Sequence, residues 1–283
     1  MTQATQMQLT NLLCSLAALV FFSLAGCSVD NHKKKYILAE KLWADGKYSA
    51  AVSEFERVVK RDPQGKYGMQ ALFRGAMTQT VFLGQHSEAI EKFRLYIERS
   101  SEGSVVWSAQ KQIGEILFSR LKQYSRAARH YKELLRLRPQ AKEAPEFLFR
   151  LAKSLFFQWK FDEAIQNFQR ITQEYSNTHW AEQAAYEIGL TYFTGGEQTP
   201  GGSGPGMEVY QKAITAFEEF VKKYPESRWV PEAQFGIASC YEELDQLEEA
   251  KTRYEALRTL YPTPEVIEIK LSRIRDRMTK RSR

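Results

Sequence analysis

Residues 161–176 read Phe161-Asp162-Glu163-Ala164-Ile165-Gln166-Asn167-Phe168-Gln169-Arg170-Ile171-Thr172-Gln173-Glu174-Tyr175-Ser176. Apolar side chains recur three and four positions apart, with charged and amide residues between them, which is the pattern of an amphipathic helix. Ala164 and Phe168 lie four apart and share a face. The small alanine lets a second helix approach closely, and the ring fills the gap beside it.

The same arrangement occurs six times, at Ala51/Phe55, Ala89/Phe93, Ala127/Tyr131, Ala164/Phe168, Ala213/Phe217 and Ala250/Tyr254. Successive alanines are 38, 38, 37, 49 and 37 residues apart. The one long interval contains the Gly-rich stretch Gly195 to Gly206, and taking out those twelve residues restores 37. Twelve positions after each alanine stands a Pro or a Ser; Pro63, Pro139, Pro225 and Pro262 are helix stops. Tight turns are marked by Gly46-Lys47-Tyr48, Gly84-Gln85-His86 and Leu244-Asp245-Gln246. This period predicts antiparallel helix pairs that bury their apolar faces by stacking on their neighbours. The expected fold is all-α, a right-handed superhelical solenoid of about six pairs over residues 36–269, closed by a last helix from Glu265 to about Met278.

Composition agrees with a packed helical array. Hydrophobic residues make up 43% and charged residues 26% of the 283, too apolar a mixture for disorder. The net charge is +6, and the basic C-terminal tail from Lys270 to Arg283 carries seven Lys or Arg against Asp276 alone, so the rest of the chain is neutral in sum. A neutral array is a poor polyanion surface, and no nucleic-acid partner is expected.

The first 26 residues contain no Lys, Arg, Asp or Glu and include an apolar or small-residue run from Leu12 to Ala25. That run is shorter than the ~20 apolar residues a membrane span needs but has the length of an export-signal core. It ends in Leu24-Ala25-Gly26-Cys27, which resembles the bacterial lipobox and marks Cys27 as the lipidated residue. The basic residues that usually precede such a core are absent. Residues 1–26 are thus read as a lipoprotein signal peptide and 27–35 as a short polar linker. Ser28 after the cysteine resembles the pattern that permits sorting to the outer membrane. With Cys14 removed and Cys27 acylated, Cys240 is left without a disulfide partner and reads as a small packing residue.

With repeat and anchor in hand, residues 36–269 resemble the tetratricopeptide repeat family. The phrases Phe220-Val221-Lys222-Lys223-Tyr224-Pro225-Glu226-Ser227 and Ile171-Thr172-Gln173-Glu174-Tyr175-Ser176-Asn177-Thr178 are similar to repeats of two envelope families. One is the BamD-like (YfiO) outer-membrane lipoproteins, which help assemble β-barrel proteins; the other is the CpoB/YbgF family of the Tol-Pal system. Lipidation and the stretch Ala44 to Pro63 favour the first, as does the lack of a coiled-coil segment before the repeats. The resemblance implies a scaffold tethered to the outer membrane and facing the periplasm, with protein partners in a β-barrel assembly complex. The alternative is an envelope-organising adaptor for Tol-Pal or division, peptidoglycan or pilus-secretin assembly.

Residues for catalysis are scarce. His32, His86, His130 and His179 are far apart and fit no metal-ligand spacing. The run Thr194 to Gly206 lacks the Gly-Lys-Ser/Thr ending of a phosphate-binding loop and reads as a flexible excursion. No catalytic residue, metal, cofactor or small-molecule substrate is expected. Docking residues are the better candidates: Phe156, Phe157, Tyr186, Phe193 and Phe235 on the first helices of their pairs, with Phe149 as a further aromatic there. Some of these must pack against the next repeat; one or two, above all Phe156 or Phe157, are expected to face a groove. Trp159 stands where Gly46 and Gly84 stand in earlier turns, either as an exposed anchor or as a cap on the seam between repeats. Trp180 and Trp229, each sixteen residues after its alanine, read as structural staples. Lys33, Lys34 and Lys35 lie close enough to Cys27 to meet lipid headgroups, so that acyl chains and a basic stretch act together. Lys270, Arg273, Arg277, Lys280 and Arg281 are open to three readings: anionic lipid, an acidic partner, or a solvated helix end.

Overall fold

The computed structural model describes residues 31–198 and 205–281, and among these every regular element is helical. The helices are α1 (31–44), α2 (Tyr48–Arg61), α3 (Lys66–Thr78), α4 (His86–Arg99), α5 (Gly103–Glu115), α6 (Tyr124–Leu137), α7 (Ala144–Phe156), α8 (Phe161–Glu174), α9 (His179–Glu197), α10 (Pro205–Lys223), α11 (Val230–Glu243), α12 (Leu247–Ala256) and α13 (Pro264–Arg281). They divide into two compact units. One ends at Leu121 and holds α1 to α5; the other starts at Lys122 and holds α6 to α13. Within each unit, helices consecutive in sequence pack on one another.

Every repeat alanine, from Ala51 to Ala250, is fully buried, and no repeat aromatic is more than 3% exposed. The alternation read from the sequence is therefore the core of each unit. α2 ends where the Asp62 N–H closes on the Val58 carbonyl, one residue ahead of Pro63, and α6 stops at Leu137 before an extended Arg138 (φ −140°) and Pro139. In α10, Phe217 sits between two glycines of neighbouring helices: a Cβ on Gly189 of α9 would lie 2.5 Å from its ring and one on Gly236 of α11 2.6 Å. Here the helices come so close that alanine itself is too large.

The period of 38 or 37 has a structural cause. α3 runs into a π-helical segment, Gln79–Leu83, and α5 into another, Ile116–Arg120. A π turn takes up one residue more than an α turn. The two alanine spacings of 38 are those that cross these segments; the 37-residue spacings, from Ala127 to Ala164 and from Ala213 to Ala250, cross α7 and α11, which have none.

Three boundaries differ from the sequence reading. Residues 31–35, expected as linker, are already helical in α1. Gly195, Gly196 and Glu197, expected as loop, extend α9, and Pro205 and Gly206 open α10, so both helices reach 19 residues; 199–204 lie outside the described residues. Helix persists through the glycines because Gly196 faces Tyr210, whose ring would be 2.7 Å from a Cβ at that position. The last helix, expected from Glu265 to about Met278, is α13 and runs on to Arg281, so the basic residues from Lys270 to Arg281 are helical; Ile267, Leu271 and Ile274 anchor it, all fully buried. The signal segment, residues 1–26, and the lipidation residue Cys27 lie outside the described residues.

Candidate protein-docking surface

Each tight turn inside a helix pair needs a residue with positive φ to reverse the chain. Gly46 (φ 75°) and Gly84 (φ 65°) fill that place in the first two pairs, Lys122 (φ 51°), Trp159 (φ 62°) and Asp245 (φ 61°) in others. The hydrogen bonds repeat as well. Trp159 N–H donates to the Phe156 carbonyl (2.9 Å) and Lys160 N–H to the Leu155 carbonyl (3.0 Å), as Gly46 and Lys47 do to Trp43 and Leu42, and Asp245 and Gln246 to Glu242 and Tyr241. The alignment of Trp159 with the turn glycines thus holds at the level of backbone geometry. A bulky side chain in the left-handed region costs roughly 1–2 kcal/mol. Trp159 bears that strain while its side chain is 60% exposed, touching Phe161 edge-on at 5.8 Å.

Two residues earlier, Phe157 is 43% exposed and stacks on Tyr124 with ring centres 4.3 Å apart. Phe156 is half-buried, packed edge-on against Phe157 and Phe161. Lys153 lies 4.9 Å from the Phe156 ring centre and 5.3 Å from that of Phe157. Its ammonium also donates to both carboxylate oxygens of Glu187 on α9, at 3.0 and 2.9 Å. Burial pushes the Glu187 carboxyl above its usual range, and the charge and hydrogen bond of Lys153 draw it back. This ion pair fixes Lys153 under the two rings. Tyr124, Phe156, Phe157, Trp159 and Phe161 with Lys153 form one partly open aromatic patch in the second unit.

The other expected docking residues are mainly packing. Tyr186 stacks on Trp229 at 5.3 Å and touches Phe217 and Phe220; burial and the neighbouring Glu187 push its hydroxyl up to about 12. Phe193 packs on Tyr210 at 5.9 Å, and Phe235 stacks on Tyr261 at 4.9 Å. Phe149 is buried between Phe168 and Trp180. Trp180 and Trp229 are the staples their matching positions implied. Cys240 is fully buried and its thiol is pushed up to about 12 by burial, so it stays protonated.

Sequence reasoning missed a related cluster in the first unit. Tyr48 stacks on Phe82 at 4.0 Å, Trp43 meets Phe82 edge-on, and the Arg74 guanidinium lies 4.1 Å over Trp43 while paired with Glu40 at 3.1 Å. Phe82 is 44% exposed and Val81 57%. The signal was in the register: Phe82 and Phe157 both stand two residues before a left-handed turn residue, and Tyr48 and Tyr124 both stand three before a repeat alanine.

The basic residues divide. Lys33 and Lys34 are exposed on α1 and Lys35 is partly buried. In α13, by contrast, Lys270 donates to Glu242 at 2.9 Å, and Arg273 and Arg277 approach the same carboxylate at 3.4 and 3.7 Å. Arg277 and Arg281 also pair with Asp245. The Glu242 side chain is wholly buried and takes a further hydrogen bond from Tyr254 at 3.2 Å. Of the five cations left open between lipid, an acidic partner and a solvated helix end, Lys270, Arg273, Arg277 and Arg281 pair with the chain's own carboxylates, and Lys280 is exposed. No three of His, Cys, Asp and Glu gather as metal ligands among the described residues, and no described helix is long and apolar enough to cross a membrane.

A family model described as YfiO, outer membrane lipoprotein, matches residues 118–267. Among curated proteins none matches the sequence. Several solved structures are similar in fold. A tetratricopeptide repeat protein from Parabacteroides merdae is 13% identical with a TM-score of 0.54, the match covering 89% of this chain and 88% of that one. The C-terminal part of a TPR repeat-containing protein from Cytophaga hutchinsonii is 16% identical with a TM-score of 0.54, over 79% and 78%. PilW, described as a widely conserved type IV pilus biogenesis factor, is 16% identical with a TM-score of 0.50, over 86% and 97%. At these identities the likeness speaks to the fold, which is that of tetratricopeptide repeats.

Proposed function

The chain belongs to the YfiO family of outer membrane lipoproteins, and from that premise we propose that it is a lipid-anchored scaffold on the periplasmic face of the outer membrane, holding partner proteins in β-barrel protein assembly. Acylation of Cys27 tethers it, with Lys33 and Lys34 near the headgroups. Tethering raises the local concentration of the docking surface, and several weak contacts then act together. The reading is of a binding module and not of an enzyme.

The observation that carries the docking role is Trp159. A tryptophan in a left-handed turn position that glycine fills elsewhere, and left 60% exposed, puts a large ring at the surface at a cost in backbone strain. Large rings beside a cation are the composition of interface anchors. Phe157 and Trp159 are accordingly the anchors, with Phe156 and Lys153 their support, while Tyr186, Phe193 and Phe235 serve packing among α9 to α12.

Affinity isolation from detergent-solubilised envelopes, read by mass spectrometry, tests the assignment. Wild-type chain is expected to recover the central barrel-assembly protein, and a Phe157→Ala/Trp159→Ala variant to lose it at equal expression. Recovery of division, peptidoglycan or pilus-secretin components instead transfers the protein to an envelope-organising adaptor role. Labelling with radioactive palmitate is expected for wild type and not for Cys27→Ser; equal labelling of both removes the anchor.

A further inference from the structure

The chain's excess charge equals that of its last fourteen residues, yet most of that charge is met inside α13's own contacts. A second cationic stretch is hidden in the average. From Lys122 to Lys142 there are seven Lys or Arg against Glu133 alone, a local charge of +6, offset in the sum by acidic residues elsewhere. Helix α6 carries four of the seven cations, Arg126, Arg129, Lys132 and Arg136.

Along α6 a groove of about 720 Å³ opens between that helix and α8, with α7 beneath. Leu135 is the partly exposed apolar residue of its lining, and the edges of the buried Leu151 and Leu155 show at its base. Its rims are cationic: Arg129, Lys132 and Arg136 from α6, Lys160 and Arg170 from the α8 side, all exposed. Arg136 leans on Glu133 at 2.7 Å, Arg170 on Glu174 at 3.2 Å, and Lys160 lies 3.6 Å from Glu163, all at the surface, where such pairs yield readily to a competing anion. Arg129 and Lys132 have no ion-pair partner among the described residues. Both stand one turn apart on the rim with Arg136.

We propose that this groove docks an acidic amphipathic segment of a partner protein, its apolar stripe on the leucine floor and its carboxylates against the two rims. The floor argues for a peptide: apolar contact gives a stripe of side chains somewhere to go, while bare phosphates gain nothing from it. Glu163, Gln166 and Asn167 interrupt the α8 rim. They offer hydrogen bonds to peptide groups and break the continuous positive surface a polyanion would need. At ~1.5 Å per residue, the 14 residues of α6 give a seat about 21 Å long, enough for roughly four turns of a docked helix. The site is distinct from the aromatic patch and stands whether or not the partner belongs to barrel assembly.

The test uses the full chain and a fluorescein-labelled synthetic helix with a leucine stripe flanked by glutamates, followed by anisotropy. Micromolar, salt-weakened binding is expected. Arg129→Ala/Lys132→Ala, which removes two exposed unpaired cations and leaves the circular dichroism melt unchanged, is expected to weaken it roughly tenfold, about the sum of two such contacts. Arg129→Glu/Lys132→Glu is expected to prefer the same helix with lysines in place of the glutamates. Unchanged affinity in the alanine variant overturns the proposal, as does equal binding of a peptide with serine in the stripe. Two further outcomes reassign the surface and so also overturn it: loss in the alanine variant of binding to phosphatidylglycerol vesicles without loss of peptide binding, or loss of a salt-sensitive dimer in sedimentation velocity.

Discussion

Two residues are held under opposed physical demands. Trp159 occupies a left-handed position that Gly46 and Gly84 fill without strain. Trp159→Gly and Trp159→Ala both remove the ring, but only glycine relieves the backbone. In urea unfolding the glycine variant is expected to be more stable than the alanine variant by about 1 kcal/mol. Equal stability would mean that the turn bears no strain. Glu187 is the second case. Burial raises its pKa above the usual 4.5, with Lys153 opposing. The folded state therefore binds the proton more tightly than the unfolded chain. Stability from this group is complete below its unfolded pKa and is lost as pH rises through the raised value. Relative to Glu187→Gln, which does not titrate, wild type is expected to lose stability as pH rises from about 4.5 toward neutrality. A flat difference across that range would show that Lys153 cancels the burial.

Between helices, close approach outweighs intrinsic preference. Alanine is favoured over glycine by about 1 kcal/mol inside a helix, yet Gly189→Ala would drive a Cβ into Phe217. Overpacking of this kind costs about 1–3 kcal/mol, so Gly189→Ala is expected to lower the urea midpoint and Phe217→Leu added to it to recover part of the loss. A simple sum of the two single effects would count against the sandwich. The same contrast explains what the sequence disclosed. The six alanine and aromatic pairs were legible because four-residue spacing is a local property of a helix, and the turn alignment singled out Trp159 for the same reason. Gly195 and Gly196 were read as loop because glycine composition reports propensity, whereas Tyr210 packing over Gly196 is a tertiary fact. The Phe157 stack on Tyr124 shows only when the registers of two repeats are compared, and the Lys153 pair with Glu187 joins two helices that no spacing within one helix relates. The cations of α13 were countable, but their carboxylates Glu242 and Asp245 became visible only once α13 was seen against α11.

At the scale of the whole molecule, an open stack of helix pairs must end, and the last apolar face needs a cover that is polar outside. α13 is that cover for the second unit. Ile267, Leu271 and Ile274 close over Ala238, Leu247, Tyr254 and Leu257, while Lys270, Arg273 and Arg277 neutralise the buried Glu242. Removing one side of a buried charge arrangement costs more than the arrangement itself supplies, because the remaining charge is left uncompensated. A chain ending at Thr263 thus loses apolar cover and strands a carboxylate at once. Amide hydrogen exchange is expected to accelerate through α11 and α12 in that chain, with protection in α7 and α8 retained, since stacked pairs depend mainly on their neighbours. Adding Glu242→Gln to the truncated chain is expected to restore part of the lost protection, by removing the stranded charge without replacing the apolar cover. If α11 and α12 keep their wild-type exchange rates after truncation, α13 is an appendage and its cations are available to lipid or partner after all.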